Sequence, residues 1–490
     1  MTAPITVVRP AGPPTSPPGR TEGGWARPGR PVPPTAAPWW RDAAGSVAVG
    51  SVVIVVAFWL AHRGLQDLGA SAPGSALTSL GRLTGLVAAD LLLVQVLLMA
   101  RIPWVERSYG QDTLARRHRL VGFTSFVLMV AHVGLITAGY AAADRAGIAA
   151  EAWDFVANYP GMLLATAGTG MLVMVVVTSV RAARRRLRYE SWHLLHLYAY
   201  LGVGLALPHQ VWTGTEFTSS PLARAYWWTL YAAALGSVLA FRIGLPVAVN
   251  LRHRLRVRTV VPEAPGVVSV YLAGRNLDRL PVRAGQFFVF RFLDGPGWSR
   301  GNPYSLSAAP TRDGLRITVK DLGEGSRRLA GLRAGTPVLI EGPYGRLTGD
   351  ARRGPQSGKT GVTLVASGIG ITPLRALIDE FEDPPGAITL IYRAGAPEDF
   401  IFRDEIDRLA AARGVRVFYA AGRRVTSRRS WLPEGAAHLS DAVALKELVP
   451  GIAAQDVFVC GPDPWMEAVR RAAFEAGVPA EQIHLERFDW

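Results

Sequence analysis

Four histidines stand inside or at the ends of long apolar stretches of the 490-residue chain: His118 and His132, then His196 and His209. Ionisable side chains in membrane-length apolar runs are costly and mark functional positions. A neutral imidazole nitrogen donates to iron without adding charge, so the chemistry these four offer is axial ligation of haem. Separations of 14 and 13 residues correspond to about 20 Å of helix rise. With both helices running the same way, His118 and His196 hold one haem near the inner face. His132 and His209 then hold a second near the outer face. At about 100° per residue, the first spacing returns within about 40° of the same helix face and the second misses by about 140°. Tilt, or a bend near Gly202 or Gly204, must absorb the difference. His193 and His62 read as structural or interfacial.

The second half carries different chemistry. A flavin needs an aromatic over one ring face, a hydroxyl at its N5 region and backbone N–H groups for its pyrophosphate. In Asn302-Pro303-Tyr304-Ser305-Leu306-Ser307, Tyr304 and Ser305 offer the first two, and the turn Gly323-Glu324-Gly325-Ser326 the third. Gly368-Ile369-Gly370-Ile371-Thr372-Pro373 lacks the third glycine of a dinucleotide fingerprint. It stands between a strand and a helix, where phosphate meets the helix amino terminus. Arg393, Arg423 and Arg424 follow strands of the same region and suit a 2′-phosphate, which favours NADPH over NADH.

These residues need elements to position them. Six segments approach the roughly 20 apolar residues that span a bilayer: 46–62, 83–100, 120–140, 160–180, 193–213 and 224–246. The loops 101–119 and 181–188 are basic, whereas 141–159 holds Asp144, Glu151 and Asp154 against Arg145. By the positive-inside rule both termini are then cytoplasmic. Residues 1–45 are rich in Pro and Arg and read as a disordered cytoplasmic tail. No apolar h-region follows within the first thirty residues, so the first span serves as an uncleaved signal. Short alternating strands after residue 250 predict an antiparallel barrel over 250–350, and alternating strands and helices predict a nucleotide-binding parallel sheet over 358–490.

Composition narrows the classes. Lys and Arg number 53 against 38 Asp and Glu, a formal charge of +15. That charge sits beside the apolar stretches, which points to a lipid bilayer and away from nucleic acid. A single cysteine, Cys460, excludes an intrachain disulfide, a four-cysteine zinc site and an iron–sulfur cluster held by this chain alone.

From about residue 46 onward the chain resembles the ferric reductase and NADPH oxidase superfamily. The four histidines match its bis-histidine spacing, Asn302 to Ser307 its flavin motif, Gly368 to Pro373 its nucleotide turn and Cys460-Gly461-Pro462 the strand end facing the nicotinamide. The resemblance implies a multidomain membrane protein with an all-α six-helix transmembrane haem domain (46–248), an FAD-binding β-barrel and an α/β NAD(P) domain. It implies a cell-membrane oxidoreductase passing electrons from cytoplasmic NAD(P)H through FAD and two b-type haems to an acceptor at the outer face. Oxygen and ferric or cupric chelates remain open as acceptors. A haem-free diaphorase and a relay to a partner protein are the alternatives. Asn302 stands where many relatives have Arg or His, leaving Arg300 or Lys320 to meet the pyrophosphate. Arg82 resembles an arginine beside the outer haem, and Ile136 is apolar where oxygen-reducing relatives can carry histidine. The carboxyl-terminal stretch with Phe488 and Trp490 resembles one whose aromatic covers the flavin face; Ser305, Cys460 and Trp490 are the expected catalytic group.

Overall fold

A computed structural model describes residues 5–8, 39–180, 189–353 and 361–487. Two units emerge: Ala36–Leu245, and Met1–Thr35 together with Pro246–Trp490. The helical unit contains α1 (Trp39–Ala61), α2 (Ser75–Met99), α3 (Gln111–Asp144), α4 (Met162–Ser179), α5 (Tyr189–Thr213) and α6 (Pro221–Ser237). A π turn, Val238–Gly244, prolongs α6 into α7 (Leu245–His253). Among the described residues five helices are long and apolar enough to cross a membrane: Trp39–Ala61, Ser75–Met99, Thr113–Asp144, Met162–Ser179 and Pro221–His253. The expectation was six. The sixth segment is helical, as α5, but its run includes His193, His196, Pro208 and His209 and is not among the five. The basic loop 181–188 lies outside the described residues.

Many large apolar side chains of this unit face outward, among them Val49, Leu120, Phe123, Leu163 and Leu235. A surface of that kind suits lipid. Within the unit α2 lies along α3, and α4 along α5. Small residues permit the second contact: a Cβ on Gly168 would come 2.6 Å from the Gly202 carbonyl oxygen, and one on Gly202 3.0 Å from that of Gly168. Close backbone approach of this kind is how helices associate where water drives nothing.

The other unit opens with β1 (Ile5–Val8). This corrects the expectation of a wholly disordered tail, because Ile5–Val8 pairs antiparallel with β10 (Arg416–Ala421), Ile5 opposite Ala420. The sequence ITVV is β-branched, and an open sheet edge offers unpaired N–H and C=O groups. Residues 1–4 and 9–38 lie outside the described residues.

The predicted barrel takes the form of two three-stranded antiparallel sheets. One has the order β2 (Arg256–Ala264), β3 (Val267–Ala273), β6 (Leu315–Lys320); the other β5 (Asn302–Ser305), β4 (Phe287–Phe292), β7 (Val338–Tyr344). Bridges at Arg256–Pro337 and Leu306–Ile317 link them. Phe288, Phe290, Leu306 and Ile317 fill the space between. The sheet that follows runs β1-β10-β9-β8-β11-β12, with β8 (Val362–Ser367), β9 (Ile388–Ala394), β11 (Asp456–Cys460) and β12 (Ile483–Glu486). All its pairs except β1–β10 are parallel. Its helices include α8 (Ile371–Glu380), α9 (Arg403–Arg413) and α10 (Asp463–Glu475).

Candidate functional site

The structure brings His118 of α3 and His196 of α5 together, with ring centroids 6.0 Å apart and planes at 67°. Imidazoles bound at about 2 Å on opposite sides of one metal ion put their ring centres roughly 6 Å apart. The second nitrogen of each ring is already engaged. His118 Nδ1 lies 3.2 Å from the Gln95 carbonyl, His132 Nδ1 2.7 Å from that of Gly81 and His209 Nδ1 2.6 Å from that of Ala206. A carbonyl only accepts, so these three Nδ1 atoms carry the proton and donate it, which leaves the Nε2 lone pair for a metal. His196 Nδ1 lies 3.3 Å from the Ser179 hydroxyl. Gly85 is what admits His132 against α2, since any Cβ there would run into its imidazole. The residues present therefore fit haem. Among the described residues no group of three or more His, Cys, Asp or Glu forms a metal centre; a bis-imidazole site needs only two.

The flavin motif lies on β5. Tyr304 stacks on Phe290 with centroids 6.2 Å apart, and burial pushes its phenol up to about 12. Ser305 presents a buried hydroxyl oxygen that has no hydrogen-bond partner among the described residues. An unpaired buried hydroxyl costs stability, and it suits a group that meets a ligand atom. Pro303 continues β5, and Asn302 lies beside the glycine turn, 3.3 Å from where a Gly325 Cβ would stand. In that turn Ser326 is occupied locally: its hydroxyl accepts from the Leu322 N–H (2.8 Å) and donates to the Gly323 carbonyl (3.0 Å). Lys320 is exposed at the end of β6, and Arg300 pairs with Glu324 at 3.5 Å. Sequence reasoning passed over Arg328, whose charge reaches Tyr304 while its guanidinium binds Asp294 and the Phe292 carbonyl.

Ser307 departs from its expected place at the cofactor. Fully buried, it accepts from the Thr318 hydroxyl (2.7 Å) and from Arg316 Nε (3.1 Å). Arg316 in turn reaches Glu405 of α9 at 3.0 Å, and Glu405 also meets Arg375 of α8. This chain of charges joins the sheets carrying the flavin motif to the nucleotide-binding sheet.

The nucleotide turn lies over the end of β11. A Cβ on Gly370 would strike the Cys460 carbonyl, and one on Gly461 would come 2.9 Å from Ser367 Cβ, so both positions require glycine. Gly368 has φ +55° with open space around it, and the Tyr392 hydroxyl donates to its carbonyl at 3.1 Å. Thr372 turns its hydroxyl to the Ile369 carbonyl (3.0 Å), Pro373 lies in the first turn of α8 and Pro462 precedes α10. Burial pushes the Cys460 thiol well above its ordinary value, and the Glu486 carboxylate adds to this. The side chain at the strand end is thus a neutral thiol. Glu486 was missed in the sequence; only its place two residues from the expected aromatic stretch pointed to it. Arg393 also departs from expectation: its guanidinium donates to the carbonyls of Ala394, Ala420 and Gly422, which locks the ends of β9 and β10. Burial lowers its affinity for the proton, as does Arg424. Arg423 and Arg424 remain exposed beyond β10. Phe488 and Trp490 lie outside the described residues.

Arg82 has two carboxylate partners, Asp67 and Glu216, each at 3.6 Å, and Glu216 also lies 2.6 Å from His62 Nδ1. Ile136 faces Gly81, whose Cβ would come 2.8 Å from it.

A membrane oxidoreductase is the class that this helical unit and nucleotide-binding sheet define. Residues 84–207 match the family model of the ferric reductase like transmembrane component, and residues 364–471 that of the oxidoreductase NAD-binding domain. The chain is 32% identical over 245 residues to ferredoxin–NADP reductase B of Sorangium cellulosum, covering 48% of this chain and 96% of the relative. It is 32% identical over 216 residues to the ferredoxin reductase component of 3-ketosteroid-9-alpha-monooxygenase of Mycolicibacterium smegmatis, covering 43% of this chain. Of that relative's length it spans 57%. The flavohem-like FAD/NAD binding domain of nitric oxide dioxygenase from Vibrio cholerae is similar at 24% identity, with a TM-score of 0.38 over 48% of this chain and 99% of that one. The chain belongs to the ferric reductase-like oxidoreductases, in which a ferric reductase like transmembrane component is joined to a ferredoxin-reductase-type module.

Proposed function

We propose that the protein carries electrons from cytoplasmic NAD(P)H through FAD and two b-type haems to an acceptor at the outer face of a cell membrane. The observation that carries this reading is the His118–His196 pair, 6.0 Å between centroids. The proposal places 46–248 in the bilayer as six crossings with both termini cytoplasmic, and 250–350 and 358–490 as the FAD and NAD(P) domains. When bound, FAD divides a two-electron hydride into single electrons, and haem iron takes them one at a time. The chain's own residues do the rest. With FAD bound, Tyr304 would cover one flavin face, the Ser305 hydroxyl would serve the N5 edge, and the Gly323–Ser326 turn with Arg300 or Lys320 would hold the pyrophosphate. Gly368 to Pro373 takes the nucleotide phosphates, Cys460-Gly461-Pro462 lies by the nicotinamide, and Arg423 with Arg424 favours NADPH. His118 with His196 and His132 with His209 would hold the two haem irons through their Nε2 atoms.

A ferric or cupric chelate and oxygen are the acceptor classes. Transfer to a partner protein is the second reading, favoured because a relative is itself named as a reductase component of a monooxygenase. Purified protein given NADPH without oxygen tests the proposal. Flavin absorbance should bleach, a reduced b-type band should follow, and ferric chelate should then reoxidise it. A flavin that reduces while no haem band appears would favour a haem-free diaphorase.

A further inference from the structure

Among the described residues, electron transfer as proposed leaves Asp90, a buried ionisable group of the bundle, without a task. Asp90 is 0% exposed and lies within α2, a candidate membrane span. Its carboxylate accepts hydrogen bonds from the Ser51 hydroxyl of α1 (3.0 Å) and the Tyr226 hydroxyl of α6 (2.9 Å). Among the described residues no Lys, Arg or His pairs with it. The titratable group facing it from α6 is Tyr226, α1 presents only Ser51, and His118 and His132 of α3 meet α2 elsewhere, at the Gln95 and Gly81 carbonyls.

A carboxylate held by neutral hydroxyls in an apolar span is poised between two states, since charge is costly there and the two donors offset part of that cost. Both hydroxyls can also accept, so the protonated acid has partners in the same place. Along α2, Asp90 lies between the two residues that hold the histidines, about 8 Å of rise from Gln95 and about 14 Å from Gly81. An added electron at roughly 10 Å and an effective dielectric near 20 raises the proton affinity of a carboxylate about tenfold. We propose that Asp90 is a proton-binding site that charges and discharges in step with the electron passing through the bundle. As an electron from NAD(P)H enters, one proton from water forms an O–H bond on a carboxylate oxygen. As the electron leaves for the acceptor, that bond breaks and the proton returns to water. Transfer is thereby neutralised inside the apolar layer. This inference rests on the electron path proposed above.

Spectroelectrochemical titration of the haem-loaded full chain over a pH series tests it, together with redox-difference infrared spectra in the carboxylic acid region. In the wild type a midpoint potential should fall as pH rises, and a protonated-acid band should appear on reduction. Asp90→Asn should abolish the band and the pH dependence. Tyr226→Phe, which removes one hydrogen bond to the group, should shift the band and the pH at which the slope occurs; this arm stands even if Asp90→Asn fails to fold. Potentials that do not vary with pH in the wild type, an unchanged slope in Asp90→Asn, or a band that Tyr226→Phe leaves in place would overturn the inference while the electron path stands. A preparation free of haem would instead overturn the path itself, and this inference with it.

Discussion

Ser305 is the clearest case of a side chain whose surroundings make sense only with a partner. Its hydroxyl is buried and, among the described residues, unpaired. Removing it should cost the cofactor-free protein nothing and stabilise it by about 1 kcal/mol, because an unsatisfied polar group disappears. Ser305→Ala should nonetheless slow NADPH-dependent flavin reduction by about 10²-fold, the scale of losing one well-placed hydrogen bond in a transition state. Thermal unfolding and stopped-flow absorbance read the two effects separately; parallel loss of stability and rate would show a packing role instead. Arg423→Ala with Arg424→Ala should raise the KM for NADPH about tenfold and leave NADH unchanged, as expected for a lost charge-assisted phosphate contact. Equal changes for both nucleotides would remove the 2′-phosphate from these arginines. Spacing in the sequence could not separate Arg423 from Arg393, because all three arginines fall at or just beyond the end of a strand-like run. Only burial and three backbone carbonyls show that Arg393 holds strands together.

Elements were legible where periodicity is strong and obscure where a short segment finds its partner far away in the chain. Each of the six apolar runs is helical, and the Gly-containing turn at 368–370 does join a strand to a helix. Ile5–Val8 gave no such signal, since four β-branched residues in a Pro-rich tail become a strand only on the edge of β10. Ser307 was misplaced for a related reason: it binds Arg316, and the partner that fixes Arg316, Glu405, is distant in sequence. Glu405 pairs with Arg375 and with Arg316, 6% exposed; Arg375 keeps Asp379, but Glu405→Ala strands the buried charge of Arg316 and should destabilise the reductase module by about 3 kcal/mol. Calorimetry of the full chain would show it, and an unchanged unfolding temperature would refute it. Burial alone would raise the Glu405 carboxyl, but hydrogen bonds from Arg316 and the charges of Arg375 and Arg316 bring it below the ordinary value. A carboxyl depressed on folding contributes stability that is complete above its unfolded value, about 4.3. That contribution is lost as pH falls through the lower folded value, so the wild type should soften in acid more than Glu405→Gln does.

At the scale of the molecule, the proposed function gives the helical unit and the reductase unit separate chemistries, with the histidines as the link to a one-electron carrier. The membrane character was legible because apolar length and loop charge are properties of composition. Haem ligation was only suggested, since a spacing of 13 residues places two side chains on different helix faces. What the sequence could not supply is the neighbour of each ring: three backbone carbonyls and a serine hydroxyl that fix the Nδ1 atoms. Haem stoichiometry measures the central claim most directly. A pyridine haemochrome assay on purified protein should find two b-type haems per chain in the wild type and one in His196→Ala, with FAD content and flavin reduction by NADPH unchanged in both. Haem absent from the wild type, or equal haem content in the wild type and His196→Ala, would contradict the account.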